Sequence, residues 1–145
     1  MPTPAVVFRI GHDQYAVAAN TVREVVSDPR PTRLPTAPAV FLGAFNLRGE
    51  VVPMFDTAAL LGIGKLTDTS IAVVVNTAAG PAGLVVSGLP KVVVLEDEVG
   101  PSELRGTLGA YSVDDGIAVL VDMDALLLPH TNLGASAATD GLVGR

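Results

Sequence analysis

Histidines are the first residues to weigh for catalysis, and the chain has two of them. His12 is followed by Asp13, a combination that could orient an imidazole for general-base chemistry. However, neighbouring side chains point in different directions on a strand, and no candidate nucleophile stands beside the pair. We therefore interpret His12 as a solvated turn residue and His130, which follows a proline, as structural.

Two short motifs resemble a nucleophile site and a phosphate site but lack residues that those sites need. Ser87 has Val85 and Leu89 where a nucleophile elbow has glycines. The run from Gly62 to Lys65 lacks the first glycine of a phosphate loop and the hydroxyl residue directly after the lysine. Neither motif predicts an active site.

Acidic residues form three local groups, at 96–98, 114–115 and 122–124. None has the ligand spacing and closing glutamate of a calcium loop, and the absence of cysteine excludes thiolate zinc sites. We expect these carboxylates to form turns, cap a helix and line a solvated loop, with a distant acid–base pair as a minor alternative. The sequence therefore predicts no metal, no cofactor and no enzymatic activity.

The composition indicates one compact domain of 145 residues with an aliphatic core, since 49% of the residues are hydrophobic and only 4% aromatic. The formal net charge is −6 and no Lys/Arg cluster exists, which disfavours nucleic acid and anionic membranes as partners. No apolar run approaches the ~18 residues of a membrane span. We expect a cytoplasmic protein without direct membrane insertion.

The elements that must position any site are short strands, which predicts an all-β fold. Turn signals separate ten apolar, β-branched segments, with almost no helix between them. We expect strands at 5–10, 14–18, 22–27, 41–47, 51–55, 71–76, 83–86, 91–95, 109–113 and 117–121. Asp56 should cap a helical turn over 57–61, a second short helix should cover 122–128, and 96–101 should be an acidic loop.

One stretch carries a more specific pattern. It combines Leu42-Gly43, Asn46-Leu47-Arg48-Gly49, Val51-Val52-Pro53 and Asp56. This block resembles the signature of the CheW family of chemotaxis coupling proteins. The resemblance extends over about 5–128 as a single CheW-like domain, leaving 129–145 as a small-residue tail. Departures from the family pattern include Ser87, where an aspartate is usual, and Thr57-Ala58, where an arginine is usual.

The resemblance implies a fold, a role and partners. The fold would be two packed five-stranded SH3-like β-barrels with short helical turns. The role would be that of a non-enzymatic adaptor, whose partners are the helical cytoplasmic tips of chemoreceptors and the regulatory domain of a CheA-type histidine kinase. Two alternatives stay open: a CheW-like scaffold of another chemosensory pathway, such as pilus motility, and a small hydrolase or ligand-binding β-barrel.

Arg48 is the residue whose role the resemblance sharpens most. By resemblance it would pair with Glu24 on the third strand and present a fixed guanidinium to the receptor; the alternative is a purely structural ion pair. The receptor-binding candidates are Val22, Glu24, Val25, Gly43, Asn46, Arg48 and Ile71. For Val22, Val25 and Ile71, burial in a barrel core is an equal alternative. Gly49 and Pro53 are expected to be structural, Gly49 as a turn residue and Pro53 as the mark of an edge strand or a bulge.

Overall fold

The computed structural model describes residues 2–33 and 37–130 of the chain. Its helices are short: α1 (Thr57–Leu61), α2 (Met123–Leu127) and two single 3₁₀ turns (Ala19–Thr21 and Leu128–His130). No helix within these ranges is long and apolar enough to cross a membrane. The strands are β1 (Thr3–Ile10), β2 (Asp13–Ala18), β3 (Val22–Ser27), β4 (Phe41–Leu47), β5 (Glu50–Asp56), β6 (Ile71–Thr77), β7 (Gly80–Val86), β8 (Lys91–Leu95), β9 (Glu98–Gly100), β10 (Thr107–Val113) and β11 (Gly116–Val121).

These strands form two sheets. Sheet A has the order β8-β1-β2-β11-β10-β9, and sheet B has the order β3-β6-β7-β5-β4. Each sheet contains one parallel pair of strands, β2 with β11 in sheet A and β5 with β7 in sheet B. The other pairings of these strands are antiparallel. The fold is therefore all-β, as predicted.

The chain contains an internal repeat whose two copies exchange strands. The first repeat comprises β1 to β5 with α1, and the second comprises β6 to β11 with α2. The third strand of the first repeat, β3, pairs with β6, and its counterpart β8 pairs with β1. A second exchange follows the same pattern: β5 pairs with β7 of the second repeat, and its counterpart β11 pairs with β2 of the first. Each sheet is thus built from both repeats.

Matching residues occupy matching places in the two repeats. Gly43 and Gly109 both have positive φ, follow a register shift, and face Met54 and Leu120 respectively. Asp56 and Asp122 both cap the helix that follows. The sequence matches at these places are Ala5-Val6-Val7 with Ala72-Val73-Val74, Leu42-Gly43-Ala44 with Leu108-Gly109-Ala110, and Ala59-Leu60-Leu61 with Ala125-Leu126-Leu127.

The core has three parts, and together they bury residues on both faces of the central strands of each sheet. The largest cluster lies where sheets A and B pack and includes Phe8, Val17, Phe55 and Leu84. A second cluster around Val7 and Leu95 belongs to sheet A alone, and a third around Met54 and Val74 belongs to sheet B alone. Burial on both faces explains why β1 and β6 read as continuous apolar runs rather than alternating ones.

Most predicted elements are confirmed, and two predictions are wrong. The helix capped by Asp56 spans 57–61 as expected. The predicted acidic loop at 96–101 contains the short strand β9, which makes eleven strands instead of ten. Pro53 does not mark an edge strand, because β5 lies between β7 and β4, and the bulge of this hairpin is in β4.

Pro53 is accommodated because the pairing of β5 with β7 begins at Met54, one residue later. The finer expectation of closed SH3-like barrels stays a prediction. The predicted tail lies, from residue 131 onward, outside the described residues.

Candidate functional site

The centre of the candidate site is a bidentate ion pair between Arg48 and Glu24. Arg48 Nη1 donates to Glu24 Oε1 at 2.6 Å, and Nη2 donates to Oε2 at 2.8 Å. The Arg48 side chain is 70% exposed and the Glu24 side chain 26%. The pair thus anchors a guanidinium that remains largely open to a partner, and two parallel hydrogen bonds fix its plane as well as its position.

The hairpin turn between β4 and β5 holds the backbone of Arg48. Arg48 and Gly49 both have positive φ, at 52° and 88°, as a two-residue hairpin loop with the strand twist requires. Asn46 Oδ1 accepts a hydrogen bond from Gly49 N at 2.8 Å and so fixes the turn from within. Asn46 is therefore a turn-stabilising residue as well as a receptor-binding candidate, and Gly49 is the turn residue that the sequence predicts.

A second ion pair lies beside the first and was not predicted. Arg23 Nη1 donates to Glu50 Oε1, while Arg23 Nε donates to Asn76 Oδ1 at 3.1 Å. Arg23 and Glu24 are consecutive, and Arg48 and Glu50 stand on either side of Gly49. Opposite charges at both places were the signal available in the sequence. The site therefore holds two ion pairs of opposite polarity, both linking β3 to the same hairpin.

The electrostatics of the first pair favour its charged form. Hydrogen bonds from Arg48 lower the pKa of Glu24 below the ordinary value, and the positive charges of Arg48 and Arg23 act in the same direction against partial burial. The reciprocal hydrogen bonds and charge of Glu24 raise the pKa of Arg48. Both side chains are consequently ionised throughout the neutral pH range.

The apolar candidates separate into one exposed residue and two partly buried ones. Val25, next to Glu24, is 42% exposed. Val22 and Ile71 pack against the large core cluster between the sheets. Ile71 also pairs with Ser27, whereas Glu24 faces Val74, a displacement of about 10 Å along β6. Of the three, only Val25 is exposed, and because it follows Glu24 in the regular part of β3 it points to the opposite face of sheet B.

Gly43 is buried and has a structural explanation. A Cβ atom at this position would lie 2.4 Å from the carbonyl oxygen of Thr32, which bridges to Ala44 beside the bulge. The residue also has a φ of 124°, which disfavours any side chain. Gly43 shapes the strand that leads to the Arg48 turn and has no side chain to offer a partner.

Three of the residues considered for catalysis have structural partners. The Ser87 hydroxyl accepts a hydrogen bond from Gly11 N and so holds the β1–β2 turn. Asp122 caps α2, and Asp124 accepts a hydrogen bond from Ala78 N. Within residues 2–33 and 37–130, no group of three or more His, Cys, Asp or Glu side chains is arranged to hold a metal ion.

The buried polar side chains of the described residues bind partners within the protein. The buried polar residues are Gln14, Asp56 and Thr57. Asp56 accepts hydrogen bonds from Ala59 N and Leu66 N, and Thr57 donates to the Val85 carbonyl at 2.6 Å. Every buried polar side-chain atom in the described part of the chain has a partner. A ligand-binding barrel would need convergent free polar groups, so this alternative loses support.

Comparisons with known proteins identify relatives over most of the chain. Residues 4–128 match the family described as "CheW-like domain". The chain is 29% identical to the probable chemotaxis protein CheW of Rhizobium etli and 28% identical to the chemotaxis protein CheW of Rhizobium meliloti, each over 83% of this chain and 84% of the relative. Among solved structures it is similar to the scaffolding protein TtCheW from Thermoanaerobacter tengcongensis. That match has a TM-score of 0.76 and 27% identity, and covers 88% of this chain and 93% of TtCheW.

Proposed function

The chain belongs to the CheW-like domain family, and on that premise we propose that it is a non-enzymatic adaptor linking chemoreceptors to a CheA-type histidine kinase. It acts in the cytoplasm, where it binds the helical tip of the receptor and the regulatory domain of the kinase. The relatives named above are chemotaxis proteins, and TtCheW is described as a scaffolding protein.

The observation that carries this proposal is the Arg48–Glu24 pair. An isolated exposed ion pair adds little to folding stability, so stability alone does not account for a bidentate pair on a strained turn. A largely exposed guanidinium with a fixed direction is suited to recognise an acceptor group on another protein. The acceptor group would lie on one face of the helical receptor tip.

A bridging experiment tests the adaptor function directly. The probes are a soluble helical hairpin carrying the tip of a chemoreceptor, and the kinase regulatory domain, both encoded in the same genome as this chain. An affinity tag on the receptor hairpin should retain the regulatory domain only when the adaptor is present. If the adaptor binds neither probe at micromolar concentrations in calorimetry, or binds only one of them, the proposed bridge is wrong.

A further inference from the structure

The ion pair between Arg23 and Glu50 occupies a position that a regular strand could not provide. In β3, Val22 faces Val75 and Glu24 faces Val74, so Arg23 is the extra residue of a β-bulge. Consecutive residues of a regular strand point to opposite faces of the sheet. Because of the bulge, Arg23 and Glu24 instead both reach the β4–β5 hairpin, one holding Glu50 and the other holding Arg48.

The contacts of Arg23 fix both ends of its guanidinium. Nε is held by Asn76 on β6, the strand next to β3, and Nη1 is held by Glu50, the first residue of β5. Glu50 faces Leu47 across the hairpin and directly follows the Arg48-Gly49 turn. Arg23 therefore ties one side of this turn to the body of sheet B, while Glu24 ties the other side.

The other repeat has no charged pair at the positions equivalent to Arg23 and Glu50. Pro90 precedes Lys91 as Arg23 precedes Glu24, and Gly116 begins β11 as Glu50 begins β5. Neither replacement has a charged side chain, yet the hairpin and its bulge glycine are the same. The β10–β11 turn is instead held through Asp115, which pairs with both Arg9 and Lys91.

We infer that Arg23, Glu50 and Asn76 form a clamp that positions Arg48 for partner binding. The clamp restricts the swing of the β4–β5 turn, and through the turn it restricts the direction in which the Arg48 guanidinium points. A 70% exposed side chain loses rotational freedom when a partner binds it, and the clamp reduces that loss by ordering it beforehand. The part of this inference that concerns partner binding rests on the proposed adaptor function.

The test begins with the free protein, so that it does not depend on the receptor. The variants are Arg23→Gln and Glu50→Gln, and the matched control is Arg9→Gln, which removes an arginine paired with Asp115 at the other hairpin. Nitrogen-15 relaxation of the Arg48 Nε–H group measures its order parameter. We expect a clear decrease in both clamp variants and no change in the control. An unchanged Arg48 order parameter in folded Arg23→Gln and Glu50→Gln proteins would overturn the inference.

Binding to the receptor hairpin supplies a second and separable result. We expect the affinity of both clamp variants to fall about threefold to tenfold, with the control unchanged. The charge-exchanged variant Arg23→Glu/Glu50→Arg should recover part of the Arg48 order. This variant also provides the test if a single variant folds poorly. If the relaxation result holds but wild-type protein fails to bind the hairpin, the adaptor proposal fails while the clamp stands. If wild-type protein binds and the clamp variants bind equally well, the clamp has no role in binding.

Discussion

The β4–β5 turn and the β10–β11 turn are equivalent in the two repeats, and each is held by an ion pair. The two ion pairs have opposite polarity. Glu24 on β3 pairs with Arg48 in the β4–β5 turn, whereas Lys91 on β8 pairs with Asp115 in the β10–β11 turn. Glu24 faces Val74 and Lys91 faces Val7, and Val74 and Val7 are equivalent positions of the two repeats. The geometry needs a link from the third strand to the turn, but it does not prescribe which partner carries the positive charge. Partner recognition can therefore decide whether the turn carries the positive or the negative residue of the pair.

The largest difference between the repeats should appear at their bulge glycines. A Cβ at Gly43 would lie 2.4 Å from a backbone oxygen, whereas a Cβ at Gly109 would lie 2.9 Å from the movable carboxylate of Glu98. Both substitutions carry the penalty of positive φ. We expect Gly43→Ala to lower the free energy of unfolding by about 3 kcal/mol or more and Gly109→Ala by about 1–2 kcal/mol, measured by urea denaturation. Equal losses would mean that Thr32 yields as easily as Glu98.

Loss of the helix cap should also destabilise the protein more in the first repeat than in the second, but the costs are smaller than at the bulge glycines. Asp56 is fully buried and accepts hydrogen bonds from two backbone N–H groups, while Asp122 is partly exposed and accepts one, from Ala125 N. We expect Asp56→Ala to cost about 2–3 kcal/mol of unfolding free energy and Asp122→Ala about 1 kcal/mol. Thermal and urea denaturation of both variants measure the difference. A larger loss for Asp122→Ala would contradict this ranking.

The two turns should differ in binding more than in stability. Arg48→Ala removes the exposed guanidinium, and we expect it to weaken binding to the receptor hairpin at least about tenfold. Asp115→Ala removes the ion pairs of the other turn, with Lys91 and Arg9, and should leave receptor affinity unchanged. Calorimetry on folded protein gives both values. If Arg48→Ala lowers the melting temperature but leaves receptor affinity unchanged, Arg48 is only a hairpin-stabilising residue.

The smallest effect should be a shared dependence on pH, despite the reversed polarity. Hydrogen bonds from Arg48 lower the pKa of Glu24. Partial burial acts to raise the pKa of Asp115, but hydrogen bonds from Lys91 and Gln14 outweigh it, and that pKa is also lowered. The stabilisation from each pair is fully present above the ordinary carboxyl pKa, about 4.3 for Glu and 3.9 for Asp. It disappears as the pH falls through the lower folded-state values.

Carboxyl carbon NMR titration checks this expectation. Both Glu24 and Asp115 should titrate below their ordinary values in the wild-type protein, and Glu24 should return toward its ordinary value in Arg48→Ala. The melting-temperature difference between wild-type protein and Arg48→Ala should shrink from neutral pH toward pH 3. A difference that grows on acidification would contradict the assigned direction of the Glu24 shift.

The local elements could be predicted from the sequence because their signals are local. Alternating or β-branched segments between glycine and proline turns marked ten strands, and Asp56 before Thr57–Leu61 marked a capped helix. Strand β9 was missed because it has only three residues and is held by pairing with β10 alone. The parallel pairs β2–β11 and β5–β7 join distant segments, so no local pattern announces them.

The candidate site was predictable in part for the same reason. The Arg48–Glu24 contact, expected from family resemblance, is present in the structure, whereas its role in receptor binding stays a prediction. The Arg23–Glu50 contact depends on a bulge, and a bulge depends on the register of β3 against β6. The internal repeat is visible in the sequence as two identical segments, Leu42-Gly43-Ala44 and Leu108-Gly109-Ala110. Three identical residues are too few to identify a repeat without the paired strands around them.

The division of strands between the sheets sets an order of assembly during synthesis. All five strands of sheet B lie in one continuous segment, from Val22 to Val86, whereas sheet A combines β1 and β2 with β8 to β11. Sheet B therefore has all its strands as soon as Val86 leaves the ribosome, while the β1–β2 hairpin must wait for β11. Long-range pairing of this kind slows folding and leaves apolar strand edges open in the meantime. The newly made chain carries an incompletely paired N-terminal hairpin until β11 has emerged.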